Sequence, residues 1–255
     1  MIVKTDAIVL KTMRYRETSK IATLFTREYG KLSVIAKGAR LGNSRVGPAL
    51  DVLNHVHVVL YKKEGRDLHL LSQCDLLNHF GMLTKDMERM GSAIAVIELV
   101  HKVAHSEEES GVLFEAVLDA LKTLNETPEN FKTVLLHFEI HLLDILGFKP
   151  DLYACADCKT FLDPSGTQSE ILRLRPGGIQ CASCGKTGST NRGISWETLR
   201  HLQMFQNLLE SGKAAEIVPS RLVSDEAMRA VWYYFRSHVE GMNRLRSEEV
   251  FLAVA

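Results

Sequence analysis

The chain has 255 residues, 45% of them hydrophobic and 24% charged, with 31 basic and 31 acidic side chains. This composition is typical of a globular protein with one or two cores, and it excludes disordered and fibrous classes. The longest apolar run, AIAVIELV, is interrupted by Glu98 and is far shorter than the roughly 20 residues that cross a membrane. Lys4 and Asp6 argue against a signal peptide. We therefore expect a cytoplasmic protein without a membrane partner, whose thiols stay reduced.

The even charge balance hides an asymmetry between the two parts of the chain. Residues 1–80 hold 13 Lys and Arg against 7 Asp and Glu, whereas residues 81–255 hold 18 against 24. No acidic residue lies between Glu28 and Asp51. Such a split is typical of a protein that binds a polyanion with one end and something else with the other.

The first 80 residues predict five short β-strands. The segments are rich in β-branched residues, and in one of them Val56, Val58 and Leu60 fall on the same face. Turn sequences at 28–31 and 63–66 separate neighbouring segments. Five strands in about 75 residues favour a small closed barrel, and the OB fold is the commonest of these. The segments are AIVL, KIATLFT, KLSVIA, HVHVVLY and DLHLLSQ.

Apolar residues recur with a helical period after Phe80, which predicts a bundle. Two helices come first, and the second carries a stripe that begins at Leu113. A third is predicted to begin with Thr127 as its N-cap and Pro128 in the first turn, and to end at Gly147.

Two more helices are predicted towards the end of the chain. One begins at Ser195 and ends near Gly212. The last begins at Ser224, with Asp225 and Glu226 in its first turn, where acidic side chains favour the helix dipole.

Two Cys-x-x-Cys pairs, separated by 22 residues, form the strongest local motif. Four thiolates at this spacing suit a closed tetrahedral Zn²⁺ site, so we expect one structural zinc ion per chain and a small β-hairpin between the pairs. Two disulfides or a redox dithiol are the alternatives, which a reducing compartment and the missing strand–helix context disfavour. Cys74, at the end of a strand, is predicted to be a small core residue. The four predicted ligands are Cys155, Cys158, Cys181 and Cys184.

The predicted fold class is therefore α+β, with three domains. An OB-fold β-barrel spans 1–80, an α-helical bundle domain spans 81–150 and 195–255, and a four-cysteine zinc-finger insert spans 151–194.

Nine basic residues fall where an OB fold binds oligonucleotides, which is across strands 2–3 and at the loops that join strands 1–2 and 4–5. A solvated basic surface is the alternative interpretation. Aromatic rings are few, so we expect contact mainly to phosphates, sensitive to salt and blind to sequence. Such binding would leave base edges free to pair. The candidates are Arg14, Arg16, Lys31, Lys37, Arg40, Arg45, Lys62, Lys63 and Arg66.

Other motifs are weaker. The histidine pairs 101/105 and 137/141 have the spacing of metal ligands, but only one Glu-x-x-His motif is present, so surface or half-buried histidines are the better interpretation. The sequence shows no P-loop, dinucleotide fingerprint, nucleophile elbow or paired nuclease carboxylates, which argues against an enzyme.

Three stretches together resemble one known family. The segments DAIVLKTMRYRETSKIATLFTREYGKLSVIAKGAR, LLDILGFKPDLYACADC and RPGGIQCASCG are similar, in order and spacing, to the zinc-finger-bearing branch of the bacterial RecO family. The resemblance implies a recombination mediator in DNA repair, not an enzyme, that binds single- and double-stranded DNA and anneals complementary strands. It also implies work with RecR and RecF in loading RecA onto DNA coated by single-strand binding protein, and a nucleoid-associated location.

In some members of that family the acidic, apolar C-terminal tail of single-strand binding protein docks in the helical domain. Candidates for a basic rim of such a groove are Arg200, Arg229 and Arg236. Two rival hypotheses remain open: a zinc-ribbon protein that contacts RNA or the transcription machinery, and a nuclease with scattered carboxylates.

Overall fold

A computed structural model describes residues 1–63, 65–105, 111–163, 172–186, 193–208 and 221–242, with only the backbone described at 186 and 221–224. These residues form two compact units, the first within Met1–Glu126 and the second beginning at Thr127. Within the described ranges, no helix is both long and apolar enough to cross a bilayer.

Five strands of the first unit close into a barrel in the order β1-β2-β3-β5-β4, which confirms the predicted OB-type architecture. Neighbouring strands pair antiparallel, except that β3 and β5 run parallel. The strands are β1 (Ile2–Tyr15), β2 (Ser19–Thr26), β3 (Gly30–Ala36), β4 (His55–Tyr61) and β5 (Leu68–Asn78).

Alternation along the strands fills the barrel with apolar side chains. Val56, Val58 and Leu60 of β4 point inward and have no exposed surface, as their spacing predicts. Cys74 belongs to the same core, and helix α1 (Val46–Ala49), between β3 and β4, contributes Ala49 to it. The barrel therefore has a continuous apolar interior of its own.

Helices cover part of the outside of the barrel in the first unit and build the second unit. Helix α2 follows a 3₁₀ turn at Leu83–Lys85 and begins after Asp86, whose side chain accepts a hydrogen bond from the backbone of Arg89 at 2.9 Å. On the barrel's outer surface, Phe25 packs against Phe114 with ring centroids 5.9 Å apart. The helices are α2 (Met87–Val103), α3 (Gly111–Glu126), α4 (Phe131–Ile145), α5 (Trp196–Asn207) and α6 (Arg221–His238).

Helix α4 begins later than predicted. The sequence placed its start at Thr127 and Pro128, but the helix begins at Phe131. Asn130 has a φ of 64°, a left-handed conformation that cannot lie within a right-handed helix, so the helix starts after it.

Helix α6 begins three residues before the predicted Ser224, so Asp225 and Glu226 are not in its first turn. These acids make tertiary contacts instead: Asp225 pairs with Lys132 of α4 at 3.0 Å, and Glu226 accepts a hydrogen bond from the hydroxyl of Ser195 at 2.8 Å.

Helix α5 begins at the predicted N-cap, where the hydroxyl of Ser195 accepts from the backbone of Thr198 at 3.1 Å. It ends at Asn207, and the predicted end near Gly212 lies outside the described residues.

Candidate metal centre and nucleic-acid interface

The four cysteines meet in the insert of the second unit. Their sulfur atoms all lie within 4.8 Å of one another, and the Sγ atoms of Cys158 and Cys181 are 3.7 Å apart. Four sulfurs bound to a tetrahedral zinc ion at about 2.3 Å are roughly 3.8 Å apart, so the spacing fits. The cluster could hold a metal ion. In the part of the chain that the structure describes, no other group of three or more His, Cys, Asp or Glu side chains is so arranged, and this includes both histidine pairs.

The thiols of this cluster differ in how readily they ionise. Hydrogen bonds with Thr160 lower the pKa of Cys158 to about 6. The neighbouring thiols of Cys158 and Cys181 raise the pKa of Cys184 to about 12. The pKa values of the four thiols therefore split, with those of Cys155 and Cys158 lowered and those of Cys181 and Cys184 raised, and a bound divalent cation would favour the thiolate form of all four.

A two-stranded hairpin and a glycine hold the knuckles in place. Strands β6 (Arg173–Arg175) and β7 (Gly178–Gln180) pair antiparallel between the two cysteine pairs, which confirms the predicted hairpin. The guanidinium of Arg173 donates a hydrogen bond to the carbonyl of Gly185. A Cβ at position 185 would lie 2.6 Å from Arg173 Nη1, so the glycine leaves room for this contact.

Two buried glutamines of α5 fasten the insert to the helices of its unit. Gln203 donates to the carbonyl of Leu152 at 2.8 Å, and Gln206 donates to that of Pro150 at 2.9 Å. These residues were not predicted from the sequence. The signal in the sequence was a pair of amide side chains three positions apart on the inward face of an amphipathic helix. Buried amides need hydrogen-bond partners, and here the partners are backbone carbonyls.

Three of the predicted DNA-binding residues meet at the loop between β1 and β2. The guanidinium of Arg40 donates to the carbonyls of Arg16 and Glu17, at 3.1 and 2.9 Å. A cavity of about 530 Å³ lies beside this loop, lined by Arg16, Lys37, Tyr15 and Ile35 among others. Arg40 thus shapes the loop, and Arg16 and Lys37 supply positive charge at one rim.

Three more of these residues lie in the segment between β4 and β5. Lys62 pairs through its backbone with Met1, and its ammonium lies 5.4 Å from the ring centre of Tyr29. Lys63 and Arg66 are exposed. This segment lies beside the start of β1, because the register aligns Tyr61 with Ile2.

The structure places Lys31 apart from these two groups. Its ammonium donates to the carbonyl of His101 at 2.8 Å, and its backbone N–H donates to that of His105, so it binds the C-terminal end of α2. Burial lowers the pKa of Lys31. Arg14, exposed on β1, lies in register with Lys20, and the exposed Arg45 directly precedes α1.

Eight of the nine predicted residues form no ion pair with an acidic side chain within the described ranges, and the ammonium of one of them, Lys31, donates to the carbonyl of His101 instead. Lys20 and Arg27 of the same barrel do form ion pairs. Unpaired cations keep their charge available for a polyanion. The other seven are Arg14, Arg16, Lys37, Arg40, Arg45, Lys63 and Arg66.

The arginines proposed for a groove rim lie on the helices of the second unit. Arg200 is exposed on α5, and Arg229 and Arg236 are exposed on α6.

Two family models match nearly the whole chain. One, described as "Recombination protein O N terminal", matches residues 1–80, and the other, "Recombination protein O C terminal", matches residues 84–249.

Curated relatives agree with the family models. A DNA repair protein RecO from Chlorobium limicola is 37% identical over 186 residues, which is 70% of each chain. Another, from Chlorobium phaeobacteroides, is 35% identical over 223 residues, covering 84% of this chain and 85% of the relative. A third, from Caldanaerobacter subterraneus, is 30% identical over 240 residues, 93% of each chain.

Proposed function

The chain belongs to the RecO family and has a role in DNA repair and recombination, and we propose that it acts there as a recombination mediator that binds single- and double-stranded DNA and anneals complementary strands. In this proposal it is a binding protein without a catalytic step. It works in the cytoplasm, at the nucleoid, with RecR and RecF, and helps load RecA onto DNA coated by single-strand binding protein.

The observation that carries the proposal is the set of barrel cations that form no ion pair with acidic side chains of the described residues. Arg16 and Lys37 lie at one rim of the barrel, and Lys63 and Arg66 follow β4. Two DNA strands repel each other through their phosphates, and cations that neutralise phosphates reduce that repulsion. A protein that holds strands in this way lets complementary bases meet, which is the physical requirement for annealing.

The four-cysteine cluster supports a structural role for one Zn²⁺ ion per chain. Its four thiol donors would fill a tetrahedral coordination shell, so the ion would supply folding free energy and have no open position for chemistry. We assign the insert, residues 151–194, to this role.

The helical segments, residues 81–150 and 195–255, are proposed as the docking region for protein partners. Exposed Arg200, Arg229 and Arg236 would attract the acidic C-terminal tail of single-strand binding protein, whose apolar residues would pack beside them. The barrel, residues 1–80, is left for DNA.

A charge-reversal pair with a matched control tests DNA binding by the barrel. The variant Lys37→Glu/Lys63→Glu should bind single-stranded DNA at least about tenfold more weakly at low salt, and its salt slope should fall by about 0.7 for each lost phosphate contact. The control Lys85→Glu/Lys122→Glu changes two exposed lysines of the same unit that lie outside the barrel. Both double variants therefore have the same net charge. Gel-shift titrations and annealing of complementary oligonucleotides coated with single-strand binding protein measure the effect.

Equal binding by the two double variants would contradict the proposal. The same titrations with a structured RNA, and incubation of labelled DNA with Mg²⁺ or EDTA, separate the rival functions. Preference for the RNA would favour the zinc-ribbon hypothesis, and Mg²⁺-dependent cleavage would favour a nuclease.

A further inference from the structure

Six apolar side chains form a continuous row across the outer surface of the barrel. Each is the direct register partner of the next on the neighbouring strand, so all six point to the same side of the sheet. In the order set by the register, the row consists of Met13, Ile21, Ile35, Leu70, Tyr61 and Ile2. We call these residues the apolar row.

The apolar row faces outward: four of its residues are exposed, and Ile21 and Ile35 are half-buried. The alternate residues of the same strands, such as Ala22, Val34 and Leu60, fill the barrel interior. Ile2 is 59% exposed and Tyr61 48%, whereas an ordinary sheet surface would carry polar residues there. This row therefore does not serve the core of its own barrel.

The row winds around the barrel and is not flat. It begins at Ile2 of β1, crosses the other four strands, and returns to β1 eleven residues farther on, at Met13. The strands are staggered, as closure of a barrel requires, so the path is a spiral of about 24 Å, from five steps of about 4.8 Å.

Lysines accompany the row at a spacing of two residues. Lys4 and Lys11 lie two positions from Ile2 and Met13 on β1, and the period of a strand places them on the same face. Lys37 and Lys63 lie two positions after Ile35 and Tyr61, just past the ends of β3 and β4.

All four lysines are exposed, and none pairs with an acidic side chain of the described residues. A cavity lined by both Ile35 and Lys37 shows an apolar and a cationic group side by side at one point of the track. Exposed lysines therefore flank the apolar row.

We propose that the apolar row holds the bases of single-stranded DNA while the flanking lysines hold its phosphates. The inference rests on the proposed function and extends it, because contact is not limited to phosphates and a single strand becomes the preferred ligand. A single strand bends at each nucleotide and can follow a spiral of this curvature. Duplex DNA is stiff over about 150 base pairs and hides its bases in the stack, so it reaches only the lysines.

The mainly aliphatic character of the row also fits annealing. Stacking on aromatic rings binds each base strongly, but five of the six row residues are aliphatic and one, Tyr61, is aromatic. Aliphatic side chains contact one face or edge of a base without stacking tightly on it. Bases held in this way can leave the row for a complementary strand.

An oligonucleotide without bases separates base contacts from phosphate contacts. Wild-type protein should bind an oligothymidylate of about 15 nucleotides roughly tenfold more tightly than an abasic oligomer of equal length. The variant Tyr61→Ser/Leu70→Ser should lose most of this ratio, because it removes base contacts. It should keep its affinity for the abasic oligomer and for duplex DNA, because its lysines remain.

A matched control removes two exposed leucines outside the row. Leu76 and Leu77 lie on the same strand as Leu70. The variant Leu76→Ser/Leu77→Ser should keep the wild-type ratio of the affinities for oligothymidylate and for the abasic oligomer. Lys4→Gln/Lys11→Gln should weaken binding of both oligomers equally. The single variant Ile2→Ser provides a second test at the most exposed row position, and Cys74, buried in the barrel, should stay protected from thiol reagents in every folded variant.

The outcomes distinguish this inference from the proposed function. If the wild type binds neither oligomer at low salt, the proposed function itself is wrong. If it binds both equally, or if Tyr61→Ser/Leu70→Ser and Ile2→Ser keep the wild-type ratio, the base-contacting row is wrong and DNA binding through phosphates stands.

Discussion

The barrel and the cysteine insert differ in what holds each of them together. Sixteen buried residues, all of them apolar side chains or the thiol of Cys74, form the interior of the barrel. In the described part of the insert, a short hairpin buries Leu172, Leu174 and Ile179, and the four cysteines converge at one point. A small domain that cannot bury enough apolar surface needs a covalent or metal crosslink.

This difference has a consequence for how each region responds to conditions. Apolar burial in the barrel does not depend on protons or metal. The insert and the helices that hold it rely on thiol donors, on buried amides such as Gln203, and on the buried carboxyl of Glu139. The second unit should therefore be the part that metal and polar substitutions affect most.

Removal of the proposed zinc ion should have the largest effect. Metal binding contributes on the order of 10–16 kcal/mol in small zinc peptides, so a chelator should unfold the insert. Both tryptophans, Trp196 and Trp232, are buried in the second unit, and their emission should shift to the red. Cys74, whose pKa burial raises to about 12, should stay unreactive to thiol reagents because the barrel core is intact.

Two variants sharpen this contrast. Cys181→Ser should reproduce the effect of the chelator and reduce the zinc content below one ion per chain. Ser183→Ala changes an exposed residue of the same knuckle and should behave as the wild type. Simultaneous exposure of Cys74 and the tryptophans on chelation would show that the two regions do not differ in the way proposed.

The sequence predicted both regions because each carries a strong local pattern. Alternation in β4 placed Val56, Val58 and Leu60 inside the barrel, and the spacing of the cysteine pairs brought four thiols together. In both cases neighbours along the chain determine the structure, so periodicity or spacing is sufficient.

Contacts between distant parts of the chain could not be predicted in the same way. Lys31 was predicted to bind DNA, and that stays a prediction; its hydrogen bond to the C-terminal end of α2, 70 residues away, is a contact that the sequence could not show. The acids at the start of α6 had the signature of a helix N-terminus, yet they bind Lys132 and Ser195. The apolar row exists only once the register of five strands is known. A sequence gives each side chain its chemistry but not its distant partner.

Opposite pH dependences should separate the two units next. Burial raises the pKa of Glu139, between α4 and α6, to about 8, so the folded second unit holds a proton that the unfolded chain releases above about 4.5. The contribution of Glu139 to the free energy of unfolding of the second unit is therefore complete below about pH 4.5 and is lost as the pH rises towards 8. Burial lowers the pKa of His55 in the first unit, so the folded unit favours the neutral ring. The contribution of His55 to the free energy of unfolding of the first unit is therefore present above about pH 6.5 and is lost as the pH falls.

Urea unfolding at several pH values measures both trends. Tryptophan emission follows the second unit, and Cys74 labelling, corrected for its rate in the unfolded chain, follows the barrel. Each slope should be at most about 1.4 kcal/mol per pH unit for one group. The variant Glu139→Gln can still accept a hydrogen bond from the indole N–H of Trp232, and it should remove only the pH dependence of the second unit. The variant His55→Asn should remove only the pH dependence of the first unit. A shared slope in both probes would contradict this assignment.

The smallest expected effect concerns the attachment of the insert to α5. Gln203→Ala leaves the buried carbonyl of Leu152 without its donor, which should lower the free energy of unfolding of the second unit by about 1–3 kcal/mol. Asn207→Ala, on the same helix, removes only an exposed contact with the hydroxyl of Tyr153 and should cost less than about 0.5 kcal/mol. Because Leu152 leads directly into the first knuckle, Gln203→Ala should also speed release of zinc to a chromogenic chelator, whereas the barrel, measured through Cys74, should be unchanged. Faster release by Asn207→Ala than by Gln203→Ala would mean that the buried amide is not the attachment.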